Sequence, residues 1–189
     1  MTAYNAILAD PAWTFATYSA KGKGRSAEAH SDCMTIDDIK AMPVADYAAP
    51  DCVLFLWITN PLLRVGLEVI TAWGFTYKTV GFTWVKTTKD GTGFPIGCGY
   101  WPRAELCLLA TRGKPQRLSR SVHQLIRSPR REHSRKPDEV YDSIQALCPG
   151  PYLELFARGR RPGWEALGHE VETGIAQRRW ASNSYPIGQ

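Results

Sequence analysis

Leu8-Ala9-Asp10-Pro11-Ala12-Trp13 brings a carboxylate, a proline and an indole together just where a short apolar run, Ala6 to Ala9, should end as a buried strand. Those residue types suit the capture of an exocyclic amine. The amino group of adenine is a poor nucleophile because its lone pair is delocalised into the ring, so acceptors must take both of its hydrogens. The Asp10 carboxylate and the Pro11 carbonyl are two such acceptors. Pro11 fixes its own φ near about −65° and biases Asp10 toward extended geometry. Trp13 offers a face on which a purine stacks, and Ala12 carries the chain to it. A strand, a turn and a core tryptophan would also account for this tetrapeptide, so the rest of the chain has to decide.

The elements that must position it follow from the apolar pattern. Buried-strand runs recur at Tyr4 to Ala9, Cys52 to Ile58, Tyr77 to Val85, Glu105 to Ala110 and Tyr152 to Ala157, with helical periodicity between some of them. This order predicts an α/β fold with a mostly parallel sheet flanked by helices. One helix is expected after Asn60, with Asn60 as N-cap, Pro61 at the first position, Leu62, Val65, Val69 and Ile70 on one face, and Gly74 past its end. A second is expected from Pro137, with Asp138 and Glu139 in its first turn and Val140, Ile144 and Leu147 buried, stopping at Pro149-Gly150. Two segments lack periodicity, Thr14 to Asp32 and Thr87 to Trp101, and read as functional loops. Lys21-Gly22-Lys23-Gly24-Arg25 in the first lacks the spacing of a phosphate-binding P-loop.

At 189 residues the chain suits one domain, expected over 1–175, followed by a tail over 176–189. The five cysteines are scattered and never form a C-x-x-C pair, which argues against a disulfide framework and a structural zinc; no metal site is expected. No apolar run approaches the roughly 18 residues of a membrane span, and no signal peptide is evident, so reduced thiols in a cytoplasm are expected. The net charge of +5 favours a polyanionic partner through its distribution more than its size. From Arg112 to Lys136 the cations Arg112, Lys114, Arg117, Arg120, Arg127, Arg130, Arg131, Arg135 and Lys136 face Glu132 alone. Such a stripe, interspersed with His123, His133 and serines, suits phosphate oxygens. The expected nucleic-acid contacts are Lys21, Lys23 and Arg25 in the first loop, Lys86 just before the second, and Arg117, Arg120, Arg127, Arg130 and Arg131 in the stripe. Lys136, at the mouth of a helix N-terminus, is suited to a carboxylate.

Taken in order, these segments resemble the adenine N6-methyltransferase family that includes the eukaryotic mRNA adenosine methyltransferase and its bacterial and phage relatives. The resemblance runs to about Val171. It rests on Ala9 to Trp13, Leu54 to Thr59, Trp84-Val85-Lys86-Thr87, Gly99-Tyr100-Trp101, Glu105 to Leu108, Ser134 to Glu139, Glu154 to Arg158, and Gly163-Trp164 leading to Gly168-His169-Glu170. It implies a Rossmann-like, S-adenosylmethionine-dependent methyltransferase with permuted motif order, the catalytic tetrapeptide preceding the main cofactor strand. That order accounts for the missing glycine-rich loop after the first strand. By similarity, Asp10 and Pro11 hold the target amine, Trp13 stacks on the base, and Lys136 pairs with the cofactor carboxylate, with Asp10 also near the cofactor. Phe156, Arg158, His169 and Glu170 match positions lining the adenosine half of the cofactor. Ala12 replaces the second proline of the family tetrapeptide, Ser31 an aromatic, and His169 an asparagine.

The resulting expectation is methyl transfer to adenine N6 in DNA, by a soluble bacterial or phage enzyme. RNA adenosine is the alternative substrate. A catalytically silent nucleic-acid-binding subunit is the alternative of another class, and a homodimer is left open.

Overall fold

A computed structural model describes residues 2–13, 34–93, 104–131 and 135–168. Their strands form one sheet of order β5-β3-β4-β2-β1-β6-β7. These are β1 (Tyr4–Ala9), β2 (Ala48–Ile58), β3 (Thr76–Thr87), β4 (Ala104–Arg112), β5 (Leu125–Pro129), β6 (Tyr152–Leu155) and β7 (Trp164–Leu167). β1 pairs in parallel with β2 and β6, β3 with β5, and β6 with β7, whereas β4 runs antiparallel between β2 and β3. The mostly parallel sheet expected from the sequence is therefore present, with one reversed strand inside it. The helices are α1 (Ile36–Ala41), α2 (Leu63–Ala72) and α3 (Glu139–Leu147).

Strict two-residue alternation divides the sheet into two buried faces, because successive strand side chains point to opposite sides. Ile7, Leu54, Leu56 and Ile58 pack with Val69, Ile70 and Trp73 from α2 and Ile39 from α1. The Trp73 indole also donates to the Ile39 carbonyl at 2.7 Å, tying the end of α2 to α1. On the other face Ala6, Leu8, Val53, Phe55, Trp57, Phe82 and Trp84 pack with Val140 and Ile144 of α3. Both faces of the central strands are covered, which is why β2 reads as a continuous apolar run.

β1 is the pivot of this order. The chain passes from β1 to β2 on one side and later brings β6 to the other, so the carboxyl end of β1 is a switch point, where open α/β sheets form their binding crevice. Ala9 pairs with Leu56 and with Leu155, and the next residue is Asp10.

Several local expectations are corrected. A 3-10 turn, Asn60–Leu62, precedes α2, and Asn60 does not cap it. Its amide donates instead to the Ala104 carbonyl at 3.4 Å. Gly74 does follow α2 with φ +79°, the left-handed conformation that glycine adopts at low cost. α3 begins at Glu139, two residues after Pro137. The strand expected over Tyr152 to Ala157 stops at Leu155, because Phe156 turns with φ 63°. Strands β5 and β7 and helix α1 were not anticipated. Both aperiodic loops fall largely outside the described residues, and the tail entirely so.

Candidate active site

The alternation that builds the α3 face continues past the core into charge. Ala6 and Leu8 lead to Asp10, Phe55 leads to Trp57, and Phe82 and Trp84 lead to Lys86. In the antiparallel register Cys107 opposes Trp57 and Glu105 opposes Trp84, which brings Glu105 to the same face. Lys136, from the segment before α3, closes the group.

Lys136 Nζ donates to both carboxylate oxygens of Asp10, each at 2.8 Å, and approaches Glu105 Oε2 at 3.4 Å. Glu105 in turn pairs with Lys86. The result is an alternating row, Asp10–Lys136–Glu105–Lys86, in which Lys136 and Glu105 are only 14% and 15% exposed. Burial opposes the charge of Lys136, yet Asp10 and Glu105 overrule it and hold the ammonium above the usual lysine range. Burial likewise opposes ionisation of Glu105, and the two lysines overcome it, so its carboxyl sits below the usual range. Trp57 lies under the row, with Lys136 Nζ 5.5 Å from its ring centroid. Cys107, beside the row, is buried, and that burial pushes its thiol well up, so it stays a neutral filler.

Several sequence-predicted residues take different parts from those expected. Asp10 stands at the end of β1 with 31% of its side chain exposed, as an acceptor must. The Pro11 carbonyl accepts the Trp13 N–H at 2.8 Å, which leaves one of its two lone pairs for another donor. Ala12 sits half-buried between Pro11 and Trp13. Trp13 is 4% exposed, and its indole donates to the Trp57 carbonyl at 2.9 Å. It is thus an anchor for the Asp-Pro turn, and it presents no open stacking face. Lys86 is a second correction: its ammonium is taken by Glu105 and lies 4.9 Å from the Trp84 ring centroid. Arg131 is a third. It binds Asp138 Oδ2 at 2.6 Å and the Lys136 carbonyl at 3.0 Å, facing inward from the stripe.

Arg117, Arg120, Arg127 and Arg130 are exposed, and among the described residues Arg117, Arg120 and Arg130 make no ion pair. Phe156 is half-buried at the carboxyl end of β6, and its positive φ marks a tightly determined turn there. Arg158 is exposed two residues on. Lys21, Lys23, Arg25, Ser31, His169 and Glu170 lie outside the described residues. Sequence reasoning missed Glu105 and Asp138 as charge partners; Glu105 was findable from strand alternation, but only once β4 was known to run against β3.

The donor set fits the amino-acid end of a zwitterionic cofactor. A largely buried lysine suits a carboxylate, the partly exposed Asp10 carboxylate suits an ammonium, and the Trp57 Nε1 and Thr59 Oγ1 atoms at the end of β2 are buried with no hydrogen-bond partner. Among the described residues no cluster of His, Cys, Asp and Glu could hold a metal ion.

The mostly parallel sheet, with the Asp10–Lys136 pair at the switch point beside β1, is consistent with the Rossmann-like fold of an S-adenosylmethionine-dependent methyltransferase. The MT-A70 family profile matches residues 4–170, and the chain belongs to that family. It is 30% identical over 186 residues to the Type II methyltransferase M.MunI of a Mycoplasma species, covering 89% of this chain and 78% of that protein. It is also 30% identical over 173 residues to the N(6)-adenosine-methyltransferase subunit METTL3 of Danio rerio, and 29% identical to the METTL3 catalytic subunit of Homo sapiens. Those matches cover 88% of this chain but 28% of each METTL3 protein. No helix among the described residues is long and apolar enough to cross a membrane.

Proposed function

We propose that this chain transfers a methyl group to the exocyclic N6 amine of adenine in DNA. The observation that carries the reading is the arrangement at the carboxyl end of β1, where Asp10 is exposed enough to accept a hydrogen and is held at both oxygens by Lys136. S-adenosylmethionine, when bound, supplies an electrophilic methyl group on a sulfonium. The protein's part is to hold the amine. Asp10 and the second lone pair of the Pro11 carbonyl accept the two amine hydrogens, which draws the nitrogen lone pair out of conjugation with the ring. One of those protons leaves by way of its acceptor to solvent as the methyl group is gained and a neutral thioether is left. Trp13 fixes the turn that carries both acceptors, through its indole bond to the Trp57 carbonyl. Lys136 holds the cofactor carboxylate, and Phe156, Arg158, His169 and Glu170 line its adenosine half. Positioning of this kind accounts for most of the acceleration in a direct transfer.

DNA is favoured over RNA by coverage, while the outward charge suits the phosphates of either polymer. The match to M.MunI extends over most of that protein, whereas the METTL3 matches take in a small part of theirs. Arg117, Arg120 and Arg130 offer exposed cations to a phosphate backbone. In a duplex the target base must leave the stack, at a cost of about a few kcal/mol that phosphate contacts offset. RNA is the second reading, supported by the METTL3 relatives whose names specify adenosine, the ribonucleoside.

The test is transfer of a labelled methyl group to plasmid DNA, single-stranded DNA and total RNA in parallel, with the modified base identified by mass spectrometry. N6-methyladenine formed in DNA at the higher rate is the expected result. Label confined to RNA would move the assignment to the second reading, and label in none would leave the silent subunit.

A further inference from the structure

Lys136 has a long, flexible side chain, and its service at the site depends on a fixed main chain. We infer that Arg131 and Asp138 form a bracket that sets this main chain and are positioning residues for cofactor binding. The inference rests on the reading of Lys136 as the cofactor-carboxylate residue.

The geometry is specific to a guanidinium. Arg131 Nη1 donates to Asp138 Oδ2 at 2.6 Å while its Nη2 donates to the Lys136 carbonyl at 3.0 Å. One planar fork therefore spans a side chain at position 138 and a main-chain oxygen at position 136, with Lys136 gripped between the end of β5 and the start of α3. A lysine at 131 would keep the charge and lose the fork.

Asp138 stands at the position where an aspartate commonly caps a helix, yet it makes no side-chain bond to the α3 backbone. Its carboxylate is committed to arginines instead. Arg131 and Arg135 reach it from one side, the latter at 3.3 Å, and Arg161 from the segment before β7. Burial opposes its ionisation, but these cations hold its carboxyl below the usual range. Arg161 is itself stacked 4.0 Å from the Tyr141 ring centroid on α3. Asp138 thus joins three segments around Lys136: the chain after β5, the first turn of α3, and the chain leading into β7.

Arg131→Lys and Asp138→Asn, each alone and combined, are compared with Lys136→Ala by calorimetric titration of S-adenosylmethionine, with melting temperature and the salt dependence of duplex DNA binding recorded on the same samples. A bracket predicts that Arg131→Lys weakens cofactor binding about five- to tenfold, the effect of one hydrogen bond. Asp138→Asn should weaken it similarly, and the double variant no more than either, because one bracket is lost once. The DNA salt slope of Arg131→Lys should equal that of the unaltered protein. Unchanged cofactor affinity in Arg131→Lys, with Lys136→Ala weakened, overturns the bracket alone. Unchanged affinity in Lys136→Ala overturns the reading on which it rests and the bracket with it. A flattened salt slope with unchanged cofactor affinity returns Arg131 to the nucleic-acid surface and also overturns it.

Discussion

Lys136→Ala is the perturbation that asks most of the site. An ammonium has three hydrogens, and here the two Asp10 oxygens at 2.8 Å and Glu105 at 3.4 Å already account for them. An incoming carboxylate therefore exchanges with existing partners and fills no vacant donor. A charge-assisted hydrogen bond contributes about 1.5 to 3 kcal/mol, and exchange keeps the net gain at the lower end. The variant should bind S-adenosylmethionine about tenfold more weakly, the equivalent of about 1.4 kcal/mol. A second effect acts on the fold without any ligand. Removing the cation leaves Asp10 unpaired and Glu105 with Lys86 alone. Breaking a buried pair costs about 3 to 5 kcal/mol, and the 31% exposure of Asp10 together with the surviving Lys86 contact brings this to about 1 to 2 kcal/mol. That corresponds to a melting temperature lower by about 2 to 8 °C. Isothermal titration and thermal unfolding at neutral pH read the two effects separately. Cofactor affinity within twofold of the unaltered protein, accompanied by weaker DNA binding, would refute the assignment and make Lys136 a phosphate contact.

Asp10→Ala should lower methyl transfer by at least about 10² to 10³, the usual cost of losing one fixed transition-state partner. Asp10→Asn should retain a trace because its amide oxygen still accepts one hydrogen. Both should still bind cofactor measurably, and an alanine variant of full activity would end the mechanism. Replacing Arg117, Arg120 and Arg130 together by alanine should flatten the plot of log K against log salt by up to about 2.7 on duplex DNA, at about 0.9 per phosphate contact. Cofactor affinity should not move, and an unchanged slope would turn that surface toward solvent or a protein. Glu105→Gln tests the charged row by pH. Because the folded carboxyl lies below its ordinary 4.5, its ion pairs stabilise the fold above that value and are lost as pH falls through the folded value. The stability gap between Glu105→Gln and the unaltered protein, from urea unfolding at stepped pH, should be full near neutrality and close on acidification. A gap independent of pH would mean that Glu105 acts by packing.

What the sequence disclosed and what it hid divide along a physical line. Asp10 was recoverable because its cause is local: an apolar run, a proline and a strand end within a few residues. β2 was likewise evident as an apolar run, since both of its faces are covered, and β3 through Phe82 and Trp84, which alternate into one core while its first residues stay exposed. β5 was hidden because Leu125 and Ile126 are its only large apolar residues among Arg127, Ser128 and Pro129, and a short edge strand needs only one buried side chain, here Ile126. Asn60 was misread as a cap because a 3-10 turn intervenes before α2, and its side chain is drawn to Ala104, far away in sequence.

The basic stripe is the more instructive case. Read along the chain, Arg112 to Lys136 is one feature, because linear sequence records charge but not direction. Folding divides it by partner. Arg112 donates to the Ala45 carbonyl at 2.8 Å, Arg131 and Arg135 converge on Asp138, and Lys136 turns to Asp10. Arg117, Arg120 and Arg130 stay outward. The partners that turn a cation inward are a main-chain carbonyl for Arg112 and otherwise carboxylates at distant or unremarkable positions: Asp10 is at the far end of the chain from Lys136, and Asp138 looked like an ordinary residue of a helix start. A cluster of cations with one nearby acid therefore overstates the surface open to phosphate. What remains outward is available to a phosphate backbone, while Arg131, through Asp138 and the Lys136 carbonyl, holds the main chain that carries the ammonium to Asp10. The two proposed roles share one stretch of sequence because β5 lies at the edge of the sheet and the start of α3 at the carboxyl end of β1.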